Sequence, residues 1–237
     1  MKEAYYAGVY WSARQESAES CARRAQVFFK TLAASDEFFA DWFIPPRSRK
    51  QAPRPLDLEL ATLQELFEQT RTRNDEGGVI EDLGFGLSAD NGMRPGKQQG
   101  DHASVEVLCG CSAAPVSNLC LLHLPSTGPH LERMLTVPML TAILRAMVVA
   151  WDPDSGVVNS NAYALRNKAL PAHPSAGWMI YLSRRLGPLP PLPAPVRVEP
   201  VDDRGALLIL TPDHFTVENA EHVALADDIQ ALLNRMD

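Results

Sequence analysis

The stretch from Thr136 to Trp151 constrains the fold most, because it is the most apolar predicted helix in the chain. One side of this helix carries Met139, Ala142, Ile143, Ala146, Met147 and Ala150, and another carries Leu140, Leu144, Val148 and Trp151. A helix that is apolar nearly all round belongs in a protein core, and this one is too short to cross a bilayer. We therefore expect a fold organised around a buried helix.

Strand and helix patterns elsewhere in the chain predict the fold class. Aromatic, β-branched or alternating residues predict strands over residues 3–11, 103–110, 119–124, 178–182, 195–200 and 206–210. Apolar three-four spacing predicts helices after Ser12, from Leu56 and from Thr216, and Asp36 caps a short additional helix. The strands are grouped instead of alternating with helices, which favours an α+β fold. We expect a mainly antiparallel sheet packed with several helices in one domain, residues 1–237.

The stretch from Gly8 to Arg14 raises the choice between a catalytic loop and a strand end that leads into a helix. Ser12 and Gln15 have the spacing of a capping box, which predicts that the first helix begins there. Large aromatics usually fill cores, so Tyr10 and Trp11 are predicted to pack this strand end against the helix. Arg14 is expected to pair with a nearby carboxylate.

The composition predicts a protein that does not enter a membrane and whose cysteines stay reduced. The chain has 237 residues, 46% of them hydrophobic, and four cysteines. Neither a stretch of about 18 apolar residues nor a signal-peptide pattern is present. We therefore expect a soluble cytoplasmic protein that does not bind membranes and whose cysteines remain thiols.

Acidic residues are concentrated in two blocks. Residues 57–90 contain nine acidic residues and two arginines, and residues 199–228 contain eight acidic residues and one arginine. The net charge of the whole chain is −7, so the remainder is basic. Acidic blocks either attract a cationic partner or simply form solvated helix faces. The acidic balance argues against direct nucleic-acid binding, and the basic loop Arg47-Ser48-Arg49-Lys50 is interpreted as a solvated linker.

Motifs for catalysis are weak in this sequence. No Gly-x-Ser-x-Gly elbow and no phosphate-binding loop are present. The alternative is a zinc protein or metal-dependent enzyme centred on Cys109, Cys111, Cys120 and His123, since thiolates and imidazole bind zinc tetrahedrally. Their spacing departs from Cys-x-x-Cys knuckles, so we expect neither a metal nor another cofactor.

Several short motifs point instead to a known family. These motifs are Tyr10-Trp11-x-x-Arg14, a helix containing Cys21, Trp42-Phe43, Gly77-Gly78, Leu83-Gly84-Phe85, Trp151-Asp152-Pro153-Asp154 and Gly177-Trp178-Met179-x-Tyr181-Leu182. Together they resemble the immunity protein 52 family of bacterial polymorphic-toxin systems, over nearly the whole chain. The resemblance implies a non-enzymatic protein that binds and neutralises a cognate toxin. That toxin is expected to be a nuclease of the restriction-endonuclease-like class, such as a type VI secretion effector.

A nuclease attracts phosphate through basic residues, so a carboxylate-rich surface suits it as a binding partner. The predicted toxin-binding residues are Glu65, Glu68, Asp75, Glu76, Glu81 and Asp82, with Asp202 and Asp203 second. The first block is expected to matter more, because Glu65 and Glu68 lie three apart on one helical face. Binding at the toxin's active site and binding elsewhere on it both remain open, as do the oligomeric state and the toxin's nucleic-acid substrate.

Overall fold

One antiparallel sheet organises the part of the chain that the computed structural model describes, which is residues 3–46, 48, 51–93, 100–114, 116–166 and 174–236. Within these residues the sheet has ten strands in the order β3-β2-β4-β5-β6-β1-β7-β8-β10-β9. The strands are β1 Tyr5–Trp11, β2 Phe43–Ile44, β3 Arg54–Pro55, β4 Phe85–Asp90, β5 Ser104–Cys109, β6 Asn118–His123, β7 Ser155–Ser160, β8 Met179–Ser183, β9 Arg197–Val201 and β10 Gly205–Ile209.

Six α-helices accompany the sheet in the described residues. They are α1 Ala18–Ser35, α2 Leu60–Gln69, α3 His130–Met134, α4 Val137–Trp151, α5 Asn161–Ala164 and α6 Ala220–Leu233. The predicted α+β class with a mainly antiparallel sheet is confirmed. Of the basic loop at residues 47–50, only Ser48 is among the described residues.

Helix α4 is the buried helix that the sequence predicts. Its side chains Leu140, Ile143, Leu144, Met147 and Val148 are fully buried, and it packs against α1 and β1. The ring of Trp151 stacks on that of Trp11, with 5.6 Å between the ring centroids and an interplanar angle of 15°. The predicted burial of Trp11 is confirmed, although the ring that it packs against belongs to α4 and not to the first helix. The predicted packing of Tyr10 against the helix is wrong, because strand alternation places Tyr10 on the other side of the sheet.

The start of α1 differs from the prediction. The helix begins at Ala18, and the Ser17 side chain accepts a hydrogen bond from the Ser20 amide at 3.1 Å. The backbone amide and hydroxyl of Ser12 instead donate to Asp154 Oδ2 at 2.9 and 3.0 Å. The predicted cap at Ser12 is wrong because a carboxylate distant in sequence takes its hydrogen bonds.

Other boundaries also move relative to the prediction. The helix expected from Leu56 begins at Leu60, and the terminal helix begins at Ala220, capped by Asn219. Residues 155–160, for which no strand is predicted, form β7, which pairs with both β1 and β8. The strands predicted over residues 103–110 and 119–124 are confirmed as β5 and β6, which form an antiparallel hairpin with Val107 opposite Cys120.

Arginines satisfy the backbone carbonyls at the end of α4. Arg14 donates to the carbonyls of Trp151 at 2.8 Å and Asp152 at 3.2 Å, and Arg24 donates to that of Ala150 at 3.0 Å. Glu16 accepts from both guanidinium groups, at 3.0 and 2.6 Å. The expected ion pair of Arg14 is present, and its wider role is to complete the last turn of the buried helix.

Replacing Arg14 with methionine tests this role. Arg14→Met keeps an apolar stem but removes the donors, so we expect the free energy of unfolding to fall by about 2–3 kcal/mol, as for charged hydrogen bonds. Denaturant unfolding followed by circular dichroism measures the change. The control is Arg23→Met, since Arg23 is 63% exposed and pairs only with Glu19 among the described residues; it should cost at most about 0.5 kcal/mol. Equal losses in the two variants would contradict the assigned role.

Candidate binding surfaces

Six residues of the first acidic block are exposed to solvent, and together we call them the acidic surface: Glu65, Glu68, Asp75, Glu76, Glu81 and Asp82. Glu65 and Glu68 lie on the solvent side of α2, opposite the buried Leu63 and Phe67. The following turn is closed by the Asn74 side chain, which accepts hydrogen bonds from the amides of Glu76 and Gly78. Helix and turn therefore present all six carboxylates to solvent.

Arg71 joins the two ends of the acidic surface. Its guanidinium group pairs with Glu68 at 3.6 Å and with Glu81, and lies 5.3 Å from the centre of the Phe85 ring. Two of the six carboxylates are thereby partly neutralised. The other four, Glu65, Asp75, Glu76 and Asp82, form no ion pair with the residues that the structure describes, so their charge acts on the surroundings.

The second predicted site, the turn at Asp202 and Asp203, has a different electrostatic environment. Asp202 has a positive φ of 45° in the tight connection between β9 and β10. The Asp203 carbonyl accepts a hydrogen bond from Arg184. A polar depression of about 470 Å³ beside the turn is lined by Asp152, Ser183, Arg184, Arg185, Asp203 and Arg204. Arginines therefore offset the negative charge here.

Ion pairs within this depression also show that arginines offset its negative charge. Arg185 pairs with Asp152 and Asp154, each at 3.1 Å, and Arg204 lies 3.5 Å from Asp152. Burial alone lowers the pKa of Arg185, but hydrogen bonds to Asp152 and Asp154 outweigh it and raise that pKa. Of the two predicted sites, the acidic surface retains more uncompensated negative charge.

Sequence reasoning missed a third surface, on the sheet itself. In antiparallel pairs, residues directly opposite one another share a face. Tyr10 lies opposite Leu119, which lies opposite Leu108, and Gly8 lies opposite Leu121, which lies opposite Glu106. We call this side of β1, β5 and β6 the open face; it carries Tyr6, Tyr10, Glu106, Leu108, Leu119 and Leu121.

The open face is less covered than the opposite side of the same strands. Leu108 is 39% exposed, whereas Val105, Val107 and Leu122 on the opposite side of the same strands are at most 2% exposed. Farther along the sheet, every residue of β8 is buried, which means that both faces are covered there. The apolar part of the open face therefore faces solvent in only one half of the sheet.

A glycine allows Tyr10 and Leu121 to approach the centre of the open face. A Cβ atom at Gly8 would lie 2.9 Å from the Tyr10 hydroxyl and 2.7 Å from Leu121 Cδ2. Burial raises the pKa of both Tyr6 and Tyr10. Both tyrosines of this face are therefore neutral at physiological pH.

Comparison with known families identifies the chain. A family model described as immunity protein 52 matches residues 3–237. The chain belongs to this family. The match covers all ten strands and six helices of the described part of this immunity protein, and so includes both acidic blocks and the open face.

Among solved structures, the immunity protein is similar to the Pseudomonas aeruginosa T6SS protein PA0821. The TM-score is 0.61 at 10% sequence identity, and the alignment covers 98% of this chain and 73% of that chain. At this identity the likeness establishes a shared fold. Curated protein sequences include no match. Within the described residues, no helix is both long enough and apolar enough to span a membrane.

The cysteines of the immunity protein do not form the alternative metal site. Cys109, Cys111 and Cys120 are buried free thiols. Cys120 points into the core, whereas His123, three residues further along β6, lies on the open face beside Tyr6. Strand alternation thus separates the imidazole from the thiols, and no group of three or more potential ligands is found in the described chain.

Thiol chemistry tests this arrangement. Burial raises the pKa of Cys109 and of Cys120, and the protonated thiol is a poor nucleophile and metal ligand. We expect iodoacetamide to leave both unmodified in the native protein at pH 7.5 and to alkylate both after denaturation, as read by mass spectrometry. Elemental analysis after purification without added metal should give well below one zinc per chain. Stoichiometric zinc would contradict the assignment.

Proposed function

We propose that this immunity protein binds a nuclease-type toxin of the restriction-endonuclease-like class and neutralises it. The observation that carries the proposal is the family match over residues 3–237. The shared fold with a T6SS protein supports a type VI secretion effector as the toxin. We propose further that the protein acts by binding alone and not as an enzyme, in the cytoplasm, where a nuclease meets its substrate.

The acidic surface supplies the physical basis for this binding. A nuclease that holds a polyanion presents basic side chains, and opposite surface charges accelerate association and orient the two proteins. The net charge of −7 also disfavours direct binding of this chain to nucleic acid. The immunity protein therefore competes with nucleic acid for the basic surface of the toxin, and does not itself bind that nucleic acid.

Co-expression with the toxin encoded by the adjacent gene tests the proposal. Cells that produce both proteins should survive, and the two proteins should co-purify as a stable complex that has lost nuclease activity. A toxin variant with an inactivated nuclease site, produced to similar levels, serves as the control for toxicity. If the toxin kills equally fast with and without the immunity protein, the proposal is wrong.

The relative importance of the two acidic blocks is a separate prediction. Removing three unpaired charges with Glu65→Gln, Asp75→Asn and Glu76→Gln should slow association with the inactivated toxin about tenfold at low salt and flatten its salt dependence. Stopped-flow or biosensor kinetics at 20 and 200 mM NaCl measure both effects.

The matched control removes three charges from the second block. Asp202→Asn, Asp203→Asn and Asp213→Asn change the net charge by the same amount, and all three side chains are exposed. Because arginines surround the turn at Asp202 and Asp203, we expect a smaller effect on association. Equal effects would show that only total charge matters, and a larger effect of the control would place the interface at the second block.

A further inference from the structure

The open face borders a groove at the edge of β4. The groove has a volume of about 420 Å³, and its floor includes Gly86, Leu108, Leu119 and Leu121. Ile44, Pro45 and Arg54 form one wall, and Leu66 of α2 and Thr70, which follows that helix, form another. The floor of the groove is therefore mainly apolar.

The groove arises from how β4 is paired along its outer edge. In the described chain, that edge is bridged at its two ends, by Arg71 opposite Phe85 and by Phe43 opposite Asp90. Between these bridges, the middle of β4 has no strand beside it. The gap admits a side chain from solvent to the apolar surface of β5 and β6.

Among the described residues that line this opening, acidic groups outnumber basic groups. Glu106 lies on the floor, and a smaller adjoining depression of about 90 Å³ contains Asp57 and Glu65. Arg54 is the one basic residue that lines either space in the described chain. The rim is thus suited to a partner that carries positive charge next to an apolar side chain.

From these observations we infer that the open face and its groove bind an apolar side chain of the toxin that is flanked by lysine or arginine residues. The inference rests on the proposed function and adds the surface that holds the complex together. Helix α2 connects the two sites, because Leu66 lines the groove while Glu65 and Glu68 belong to the acidic surface. A single partner can therefore cover both.

Charge also selects between occupants of the groove. A second copy of this chain would bring another Glu106 and another Glu65 against the same rim, and each copy has a net charge of −7. Like charges at an interface oppose association. A basic partner gains from the same groups, so the toxin is the occupant that the charges favour.

Substitution of Leu108 tests the inference. Leu108→Thr removes apolar contact area without adding charge. Leu108→Lys in addition places a positive charge next to the lysine or arginine residues proposed for the toxin. Central apolar anchors dominate many interfaces, so we expect Leu108→Thr to weaken binding of the inactivated adjacent-gene toxin at least about tenfold, mainly through faster dissociation. Its salt dependence should match that of the unmodified protein, and Leu108→Lys should bind more weakly still.

Val198 provides the matched control. It is 44% exposed, compared with 39% for Leu108, and lies on β9 at the far edge of the same sheet. Val198→Thr and Val198→Lys should leave the Kd within about twofold, consistent with the near-neutral effect of contacts outside a hot spot. Thermal unfolding of all four variants checks folding, and Leu108→Lys remains informative if Leu108→Thr is unstable, because its long stem retains packing.

The outcomes separate this inference from the proposed function. If the unmodified protein binds the toxin and both Leu108 variants bind equally well, the inference is overturned and the proposed function stands. If the unmodified protein does not bind the toxin, both are overturned. If light scattering shows a dimer that Leu108→Lys dissociates, a second copy occupies the groove and the inference is again wrong.

Discussion

The rest of the structure depends on the hydrogen bonds that the backbone carbonyl groups at the C-terminal end of α4 accept. A buried helix ends in carbonyl groups that lack intrahelical partners, and leaving them unpaired is costly. Arg14 and Arg24 bind the carbonyls of residues 150–152, and Arg185 binds those of Asp152 and Pro153 at 3.0 and 2.9 Å. These arginines come from the segment before α1, from α1 itself and from the turn after β8. The end of one helix therefore fixes the positions of β1, α1 and β8.

The sequence predicts the elements whose signals are local. Helix α4 and the β5–β6 hairpin follow from apolar periodicity and alternation, which depend on neighbouring residues only. The start of α1 and strand β7 were missed because they depend on distant partners. Ser12 is bound by Asp154, and residues 155–160 are ordered between β1 and β8. Residues 152–156 look like a turn until those neighbours are known.

The distinction between local signals and distant contacts also explains which features of the candidate surfaces could be predicted from the sequence. Exposure of Glu65 and Glu68 follows from helical spacing, and the structure shows both exposed. The arginines around Asp152 come from residues far from it in sequence, so counting charges along the chain treats both acidic blocks alike. The open face was missed because β6 is apolar on both sides: Leu121 and Leu122 differ only in what the fold places over them.

Acidic and apolar surfaces contribute differently to recognition. Carboxylates on the acidic surface attract basic proteins in general, so they accelerate encounter but discriminate weakly among basic partners. An apolar groove with fixed walls accepts a side chain of matching shape and leaves mismatched polar groups without partners. Tyr10 and Leu121 pack closely over Gly8 at the centre of this face, and a surface that is ordered before binding lowers the entropic cost of a specific complex. On the proposed function, the sheet then discriminates between the cognate toxin and other basic proteins, while α2 and the turn that follows it set the rate of association.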